Sequence, residues 1–465
     1  MASIGVVGSG INGLVAAHGL LQQGHAVTLY SERSAQAWLD EVPPTGTACR
    51  FATSLDLEAE TGLNHWDADA PAIEGVHLTF CHKPGWQLID LMGRLDRPAR
   101  AIDVRLQSHR WTRDLEARGG RVEIERVDVP RLDAIAAAHD LVLVAAGRGD
   151  VGGLFARDEA RSTYTAPPRK LTMMVVRNAP LDRTGDGIPF RPAIKFNFFA
   201  AWGEEFAIPY WHKDGFACWN LLFEGRPGGP LDAFDDCADG EQVVARAKRV
   251  FRDCIPWDHA WFRDAELADP NGWLKGQFVP CFRDPVGTLP SGRVAMALGD
   301  TANSLDPIGG QGANNGYRQI GTLLAAVAER PEGPFDAAWM RATFDRFYES
   351  SGRATNAFNN LLLEEITPAA KEVLIAQYGS DGRPGNASPQ QRIADRFFNN
   401  FDDPTSFTEC LLDPAASRRA IAEAYGRAAG SAGLKGRLRI AGGQLRQLVG
   451  LPRSSHPLAR MRPAA

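Results

Sequence analysis

Two glycine-rich segments stand far apart in the chain, and their residue types suit the same ligand. The first is Gly8-x-Gly10-x-x-Gly13. The second is Gly299-Asp300, followed by Asp306-Pro307-Ile308-Gly309-Gly310-Gln311-Gly312-Ala313-Asn314-Asn315. Glycines at the first spacing let the backbone approach a pyrophosphate, whose charge rests on the amides at the positive end of the following helix. In the second, Asp300 offers a carboxylate to a ribose hydroxyl, and the amides that open the next helix can hold the anionic N1–C2=O edge of a reduced flavin. Together the two segments read as a flavin site.

In a chain with 47 glycines, the first fingerprint alone would be a weak signal. Its context gives it weight: the apolar run Ile4 to Val7 precedes it, and Leu14, Ala17, Leu20 and Leu21 follow at helical spacing. A second strand, Ala26 to Tyr30, leads to Glu32, an acid about twenty residues past the glycines, where the usual ribose partner sits. Ser31 and Arg33 are alternatives for that contact, with Glu32 solvated.

Composition sets bounds but selects no class. With 465 residues, 44% hydrophobic and 23% charged, the chain is an ordinary soluble multi-domain protein. A net charge of -5 gives no reason to expect nucleic acid. Seven scattered cysteines, an odd number, read as reduced core thiols and point to the cytoplasm. The N-terminal apolar run is broken by Gly5, Gly8 and Gly10 and reads as a strand, not a signal peptide; no run reaches spanning length, so no membrane partner is expected. His77, Cys81 and His82 lack a further zinc ligand, so no metal is expected.

The texture of the chain divides it. Residues 1–75 read as the first part of an FAD-binding domain, 76–94 as short strands of a substrate domain, and 95–167 as the second part. That second part holds a helix after Arg105, a strand Arg121 to Val127, and the buried strand Asp140 to Ala146 with its turn at Gly147. Residues 168–280 read as a β-sheet substrate domain, in which Phe196, Phe198, Ile208, Trp211 and Trp219 are candidates to line a pocket. The chain returns to the nucleotide domain at 281–330, is helical over 331–425, and ends in a basic, mobile, solvated tail, 426–465, with Arg453, Arg460 and Arg462 among its cations.

With those segments placed, residues 1–410 resemble the oxygenase component of the styrene and indole monooxygenases, a two-component group of flavoprotein monooxygenases. The likeness is carried by Gly8, Gly10 and Gly13, by Leu63-Asn-His-Trp66, and by Arg100-Ala-Ile-Asp-Val-Arg-Leu106 leading to Leu115-Glu-Ala-Arg-Gly-Gly120. Phe278-Val-Pro-Cys-Phe-Arg-Asp284, Gly299-Asp300, Asp306-Pro307, Gly310-Gln-Gly-Ala-Asn314 and Phe397 to Phe401 continue it in order. The resemblance implies an α/β hydroxylase-like fold: a Rossmann-like FAD-binding domain, an inserted β-sheet substrate domain and a helical C-terminal region. It departs from the family at Pro43-Pro44-Thr45-Gly46, where members carry Arg-Leu-Leu-Asn, and at a bulkier Tyr210-Trp211-His212. The first departure leaves the substrate's identity open, and the second is compatible with one larger than styrene.

By that resemblance the cofactor is FAD, supplied as FADH2 in trans by a transient flavin reductase, and the oxidant is O2. An apolar aryl alkene or indole would take one oxygen from a C4a-(hydro)peroxyflavin in a dry cavity, with no catalytic acid or base assigned. Gly309, Gly310, Gln311, Gly312, Ala313 and Asn314 are expected at the isoalloxazine edge and Pro307 against its rings, with Asp300 and Arg105 as supporting contacts. A homodimer is compatible with this reading. The Asp-Gly motif of self-reducing hydroxylases is replaced by Ala146-Gly147-Arg148-Gly149-Asp150, and a second glycine fingerprint for a nicotinamide is missing. The rival readings are a self-sufficient NAD(P)H-dependent aromatic hydroxylase and a non-catalytic flavin-binding protein. A halogenase is the weaker rival, because this chain lacks the Trp-x-Trp-x-Ile-Pro segment and offers only Phe206-Ala-Ile-Pro209.

Overall fold

The computed structural model describes residues 1–46, 49–147, 150–182, 189, 190, 192–199 and 202–451. The strand Ser3–Val7 is apolar almost throughout because it runs inside a parallel sheet. The order across that sheet is Val286–Thr288, Val294–Ala297, Leu141–Val144, Ser3–Val7, Ala26–Ser31 and Arg121–Ile124. Only Val286–Thr288 runs antiparallel to its neighbour. The segments beginning at Gly8, Ala145 and Gly299 therefore leave the carboxyl ends of three adjacent strands, the place where open α/β sheets bind ligands. Leu14, Ala17 and Leu20 from the first helix, Ile11–Gln22, and Ile320, Leu323 and Val327 from the helix Gln311–Glu329 complete the core.

This unit comprises residues 1–68, 102–167 and 278–359. It reaches further than the expected 281–330 because Met340, Phe344 and Phe347 of the helix Ala337–Phe347 join its core.

A second unit comprises residues 69–101, 168–277 and 360–465. Its sheet sets Ile73–Lys83 against Trp86–Ala101, then adds Ala193–Phe199, Gly203–Trp211, Ala217–Gly225 and Lys170–Arg177 in that order. Two helices interrupt the stretch read as β-rich, Gly240–Cys254 and Pro256–Phe262. Their signal was legible: Asp239 caps the first by accepting from the Gln242 amide, and Val243, Val244, Ala247, Val250, Phe251 and Cys254 recur at helical spacing. A second correction falls at the end of the chain. The stretch expected as a mobile tail forms a helix, Ala429–Leu448, whose Gly436 packs so tightly that a Cβ there would meet the Ile375 carbonyl oxygen at 2.5 Å. Arg453, Arg460 and Arg462 lie outside the described residues.

Candidate cofactor site and substrate face

The three fingerprint glycines are required for different reasons. Gly8 has φ +111°, and a Cβ on it would lie 2.5 Å from the Ala145 carbonyl oxygen. Gly13 is needed for close packing, since its Cβ would stand 2.0 Å from the Gly8 oxygen. Gly10 is the exception: nothing lies within 4 Å of its Cβ position, although it opens the helix Ile11–Gln22 and no side chain caps that helix. The second loop repeats the arrangement. Gly310, at φ +59°, opens the helix Gln311–Glu329 without a side-chain cap and with nothing within 4 Å of its Cβ position. Other helices of the same unit are closed by Asp103, Asp128 and Asp336, each accepting from an amide of its own first turn. Glycine at Gly10 and Gly310 thus leaves two helix amino ends open where carboxylates would otherwise fill them.

The topology brings the expected residues together. Gly147, at φ +66°, donates its amide to Thr301 Oγ1 at 3.0 Å, tying the turn after Leu141–Val144 to the one carrying Asp300. The exposed Asp300 places its Oδ1 3.8 Å from the Cβ position of Gly312, beside the second open helix start. Pro307, Gly312 and Ala313 are half-buried; Gly309 is buried, its Cβ position 2.8 Å from Asn359 Oδ1. Glu32 is exposed at the end of its strand with Arg33 3.8 Å away. Ser31 is turned inward onto Ser9 Oγ at 2.6 Å, which removes it as an alternative ribose contact.

Three residues expected at the cofactor have their side chains engaged within the protein. Arg105 is fully buried in an ion pair with Asp103 at 2.7 Å, so it holds the start of the helix Val104–Ala117 and has no surface to offer a ligand. Asn314 is also inaccessible. It accepts from the Phe51 amide and Ser54 Oγ and donates to the carbonyls of Cys49 and Gly310. Gln311 turns inward, donating to the Gly309 carbonyl at 3.0 Å and accepting from Arg318. The backbone of this turn, not those side chains, is what a ligand can reach.

Sequence reasoning missed the braces. Asn12 sits where Cβ atoms on Gly299 and Gly316 would each approach its Nδ2 to 2.4 Å, so these two glycines make room for it. Gln319 accepts from the Gly299 amide at 2.8 Å and donates to the Ala297 carbonyl at 3.0 Å, fixing the strand that delivers Asp300 to the second helix. Below them Arg50, Glu58 and Tyr317 form a buried group, with Arg50 Nε 2.6 Å from Glu58 and Tyr317 donating to Glu58 at 2.8 Å. Burial pushes the Glu58 carboxyl up, against the pull of Arg50.

The five residues expected to line one pocket fall on opposite faces of the substrate-domain sheet. Phe196 pairs with Phe206 in the register, stacked at 4.1 Å; Phe198 and Phe80 meet at 5.1 Å, and Ile208 shares their face. Trp211 and Trp219 have the opposite parity. Trp219 packs on Trp261 and Phe262 under the two helices, so it belongs to that core. Tyr210 lies on the aromatic face, and His212, fully buried, is held by Asp269 at 2.8 Å.

The helix-covered face carries a line of buried polar groups. Lys195 Nζ donates to Thr79 Oγ1 at 2.7 Å and to Asn197 Oδ1 at 3.0 Å, and Thr79 donates to Asp90. Asn197 Nδ2 donates to Glu205 and to Asp258, each at 2.7 Å. Burial, reinforced by Asp258, pushes Glu205 up to about 8.

Comparison with known proteins agrees with this geometry. Residues 147–260 match the family described as "Styrene monooxygenase A putative substrate binding domain". The chain is 28% identical to styrene monooxygenase StyA of Pseudomonas fluorescens over 322 residues, covering 67% of this chain and 74% of that protein. A second StyA, from Pseudomonas sp., is 28% identical over 330 residues with the same coverage. Among solved structures, flavin-dependent brominase Bmp2 superposes with a TM-score of 0.57 at 14% identity, covering 90% of this chain and 98% of that one. A flavoprotein/dehydrogenase from Cytophaga hutchinsonii gives 0.61 at 11% identity over the same shares. At that identity the structures establish the fold, the α/β hydroxylase-like one that the sequence implied. The chain is a styrene monooxygenase-like, flavin-dependent monooxygenase.

Proposed function

We propose that this styrene monooxygenase-like enzyme takes reduced FAD from a separate reductase and transfers one oxygen atom to the C=C bond of an apolar aryl alkene or indole. The observation that carries the reading is the pair of glycine-opened helix starts, Gly10 and Gly310, with Asp300 beside the second. The first would take the pyrophosphate, with Gly8 and Gly13 setting the backbone path. Asp300 and Glu32 would accept from ribose hydroxyls, and the amides of Gln311 to Ala313 would favour an anionic ring edge. Reduced FAD, when bound, supplies the two electrons with which dioxygen is divided between product and water. The aromatic face bearing Phe80, Phe196, Phe198, Phe206 and Ile208 would orient a flat substrate and exclude water. An electron-rich double bond needs no side-chain acid or base for this transfer, and the acids on this face, Glu204 and Glu224, are tied up by Arg169. The test supplies the chain with FADH2 from an unrelated flavin reductase and ¹⁸O2, with aryl alkenes, indoles and thioethers as substrates. One labelled atom in the product is expected. NADPH oxidation by the chain alone, or unlabelled substrate throughout, would overturn the reading.

A further inference from the structure

Ten large hydrophobic side chains are exposed among the described residues, and Leu434, Leu438, Leu445, Leu448, Val449 and Leu451 are six of them. Four belong to the helix Ala429–Leu448. With Ala441, which is also exposed, Leu434, Leu438, Leu445 and Leu448 follow a four-three-four-three spacing. At 100° per residue they form a stripe roughly 80° wide on one side of the helix. The opposite side is the one that packs. Ala432, Gly436 and Gly443 are buried, and Gln444 and Gln447 donate to the Gln87 carbonyl at 3.1 and 2.8 Å. The usual arrangement is inverted: small and polar residues face the protein, and leucines face outward.

The charges beside the stripe select its occupant. Lys435 lies on one flank and Arg437 on the other, both exposed, while Arg439 turns toward the packed side and donates to the Tyr378 carbonyl; the sequence holds no acid after Glu423. A second copy would bring like charges together along the seam, where helix pairs need opposite ones. An anionic lipid surface supplies both needs, acyl chains for the leucines and headgroup charge for the cations. No described helix is long and apolar enough to cross a membrane. We propose that the helix Ala429–Leu448 docks this chain on the surface of an anionic bilayer, lying in its plane with the leucine stripe inserted.

The full-length protein should co-sediment with phosphatidylcholine vesicles containing phosphatidylglycerol and much less with phosphatidylcholine alone. At roughly 0.5 M salt, where screening shortens the reach of the cations, binding should fall severalfold. The double variant Leu438→Glu/Leu445→Glu should lower partitioning at least about tenfold with the circular dichroism spectrum unchanged, because both side chains are exposed. Lys435→Glu should weaken binding less. Equal binding to both vesicle types, or a double variant that binds like the parent, would overturn the proposal. So would a dimer or a complex with an acidic protein that is lost in the double variant while vesicles are ignored.

Discussion

The two units handle polarity in opposite ways. In the unit that carries the glycine turns, the helix starts after Gly10 and Gly310 lack a side-chain cap, while polar side chains such as Asn12, Asn314 and Gln319 brace the loops from inside. In the sheet unit Lys195, Asn197, Glu205 and Asp258 hydrogen-bond to one another under helices, and the opposite face sets Phe196, Phe198 and Phe206 beside the buried Arg169, Glu204 and Glu224 cluster. Binding of a charged cofactor needs open dipoles, whereas charged groups buried in the sheet unit need partners close by, as Arg169 supplies for Glu204 and Glu224.

The largest effects come from separating the roles of the glycines. Gly13→Val would force a side chain into the Gly8 carbonyl and should cost more than about 4 kcal/mol, so soluble yield and thermal midpoint should collapse. At Gly10→Val the Cβ would have no atom within 4 Å beyond its chain neighbours. This variant should fold, lose roughly 1 kcal/mol as a poorer helix cap, and bind FAD at least tenfold more weakly. Equilibrium unfolding and flavin titration distinguish the two, and equal stability losses would break the distinction.

The two faces of the sheet can be contrasted in the same way. Trp219→Ala should destabilise by about 3–5 kcal/mol because it empties the core against Trp261 and Phe262. Phe196→Leu should cost about 1.5 kcal/mol or less and instead change the relative turnover of styrene-like and indole-like substrates. Competition assays analysed by mass spectrometry read the second effect. An unchanged product ratio would remove Phe196 from the substrate face.

This contrast shows what the sequence could reveal. Glycine spacing is local, so Gly8, Gly10, Gly13 and Gly310 were legible, and the order of strands then explained why distant segments converge. The faces were not legible: Phe196 and Trp219 are equally aromatic, and only the register of neighbouring strands separates them. The inward turn of side chains in the second loop was hidden for a related reason. Asn314 and Gln311 look ligand-facing in the motif, but their partners, Cys49 and Arg318 among them, lie outside it.

A smaller effect concerns Glu205. Its carboxyl is raised from 4.5 to about 8 in the fold, first by burial and then by Asp258. The native state therefore holds a proton that the unfolded chain has released. The stabilisation from this group is full below pH 4.5 and is lost as pH rises through about 8. Glu205→Gln should keep the hydrogen bond to Asn197 and flatten the thermal midpoint between those limits, gaining most at the alkaline end. A variant whose midpoint tracks the parent at every pH would contradict that protonation state.

The central claim is that two open helix starts form one cradle for reduced FAD, and anaerobic titration of the parent protein with reduced and with oxidised FAD tests it most directly. Helix-terminal amides favour the anionic reduced ring by about 1 kcal/mol, so its Kd should be at least about fivefold lower than that of the oxidised form. Asp300→Ala should weaken both by roughly 1.5–3 kcal/mol, the worth of a charged acceptor. Equal affinities for the two redox states, together with an Asp300→Ala variant that binds like the parent, would contradict the account.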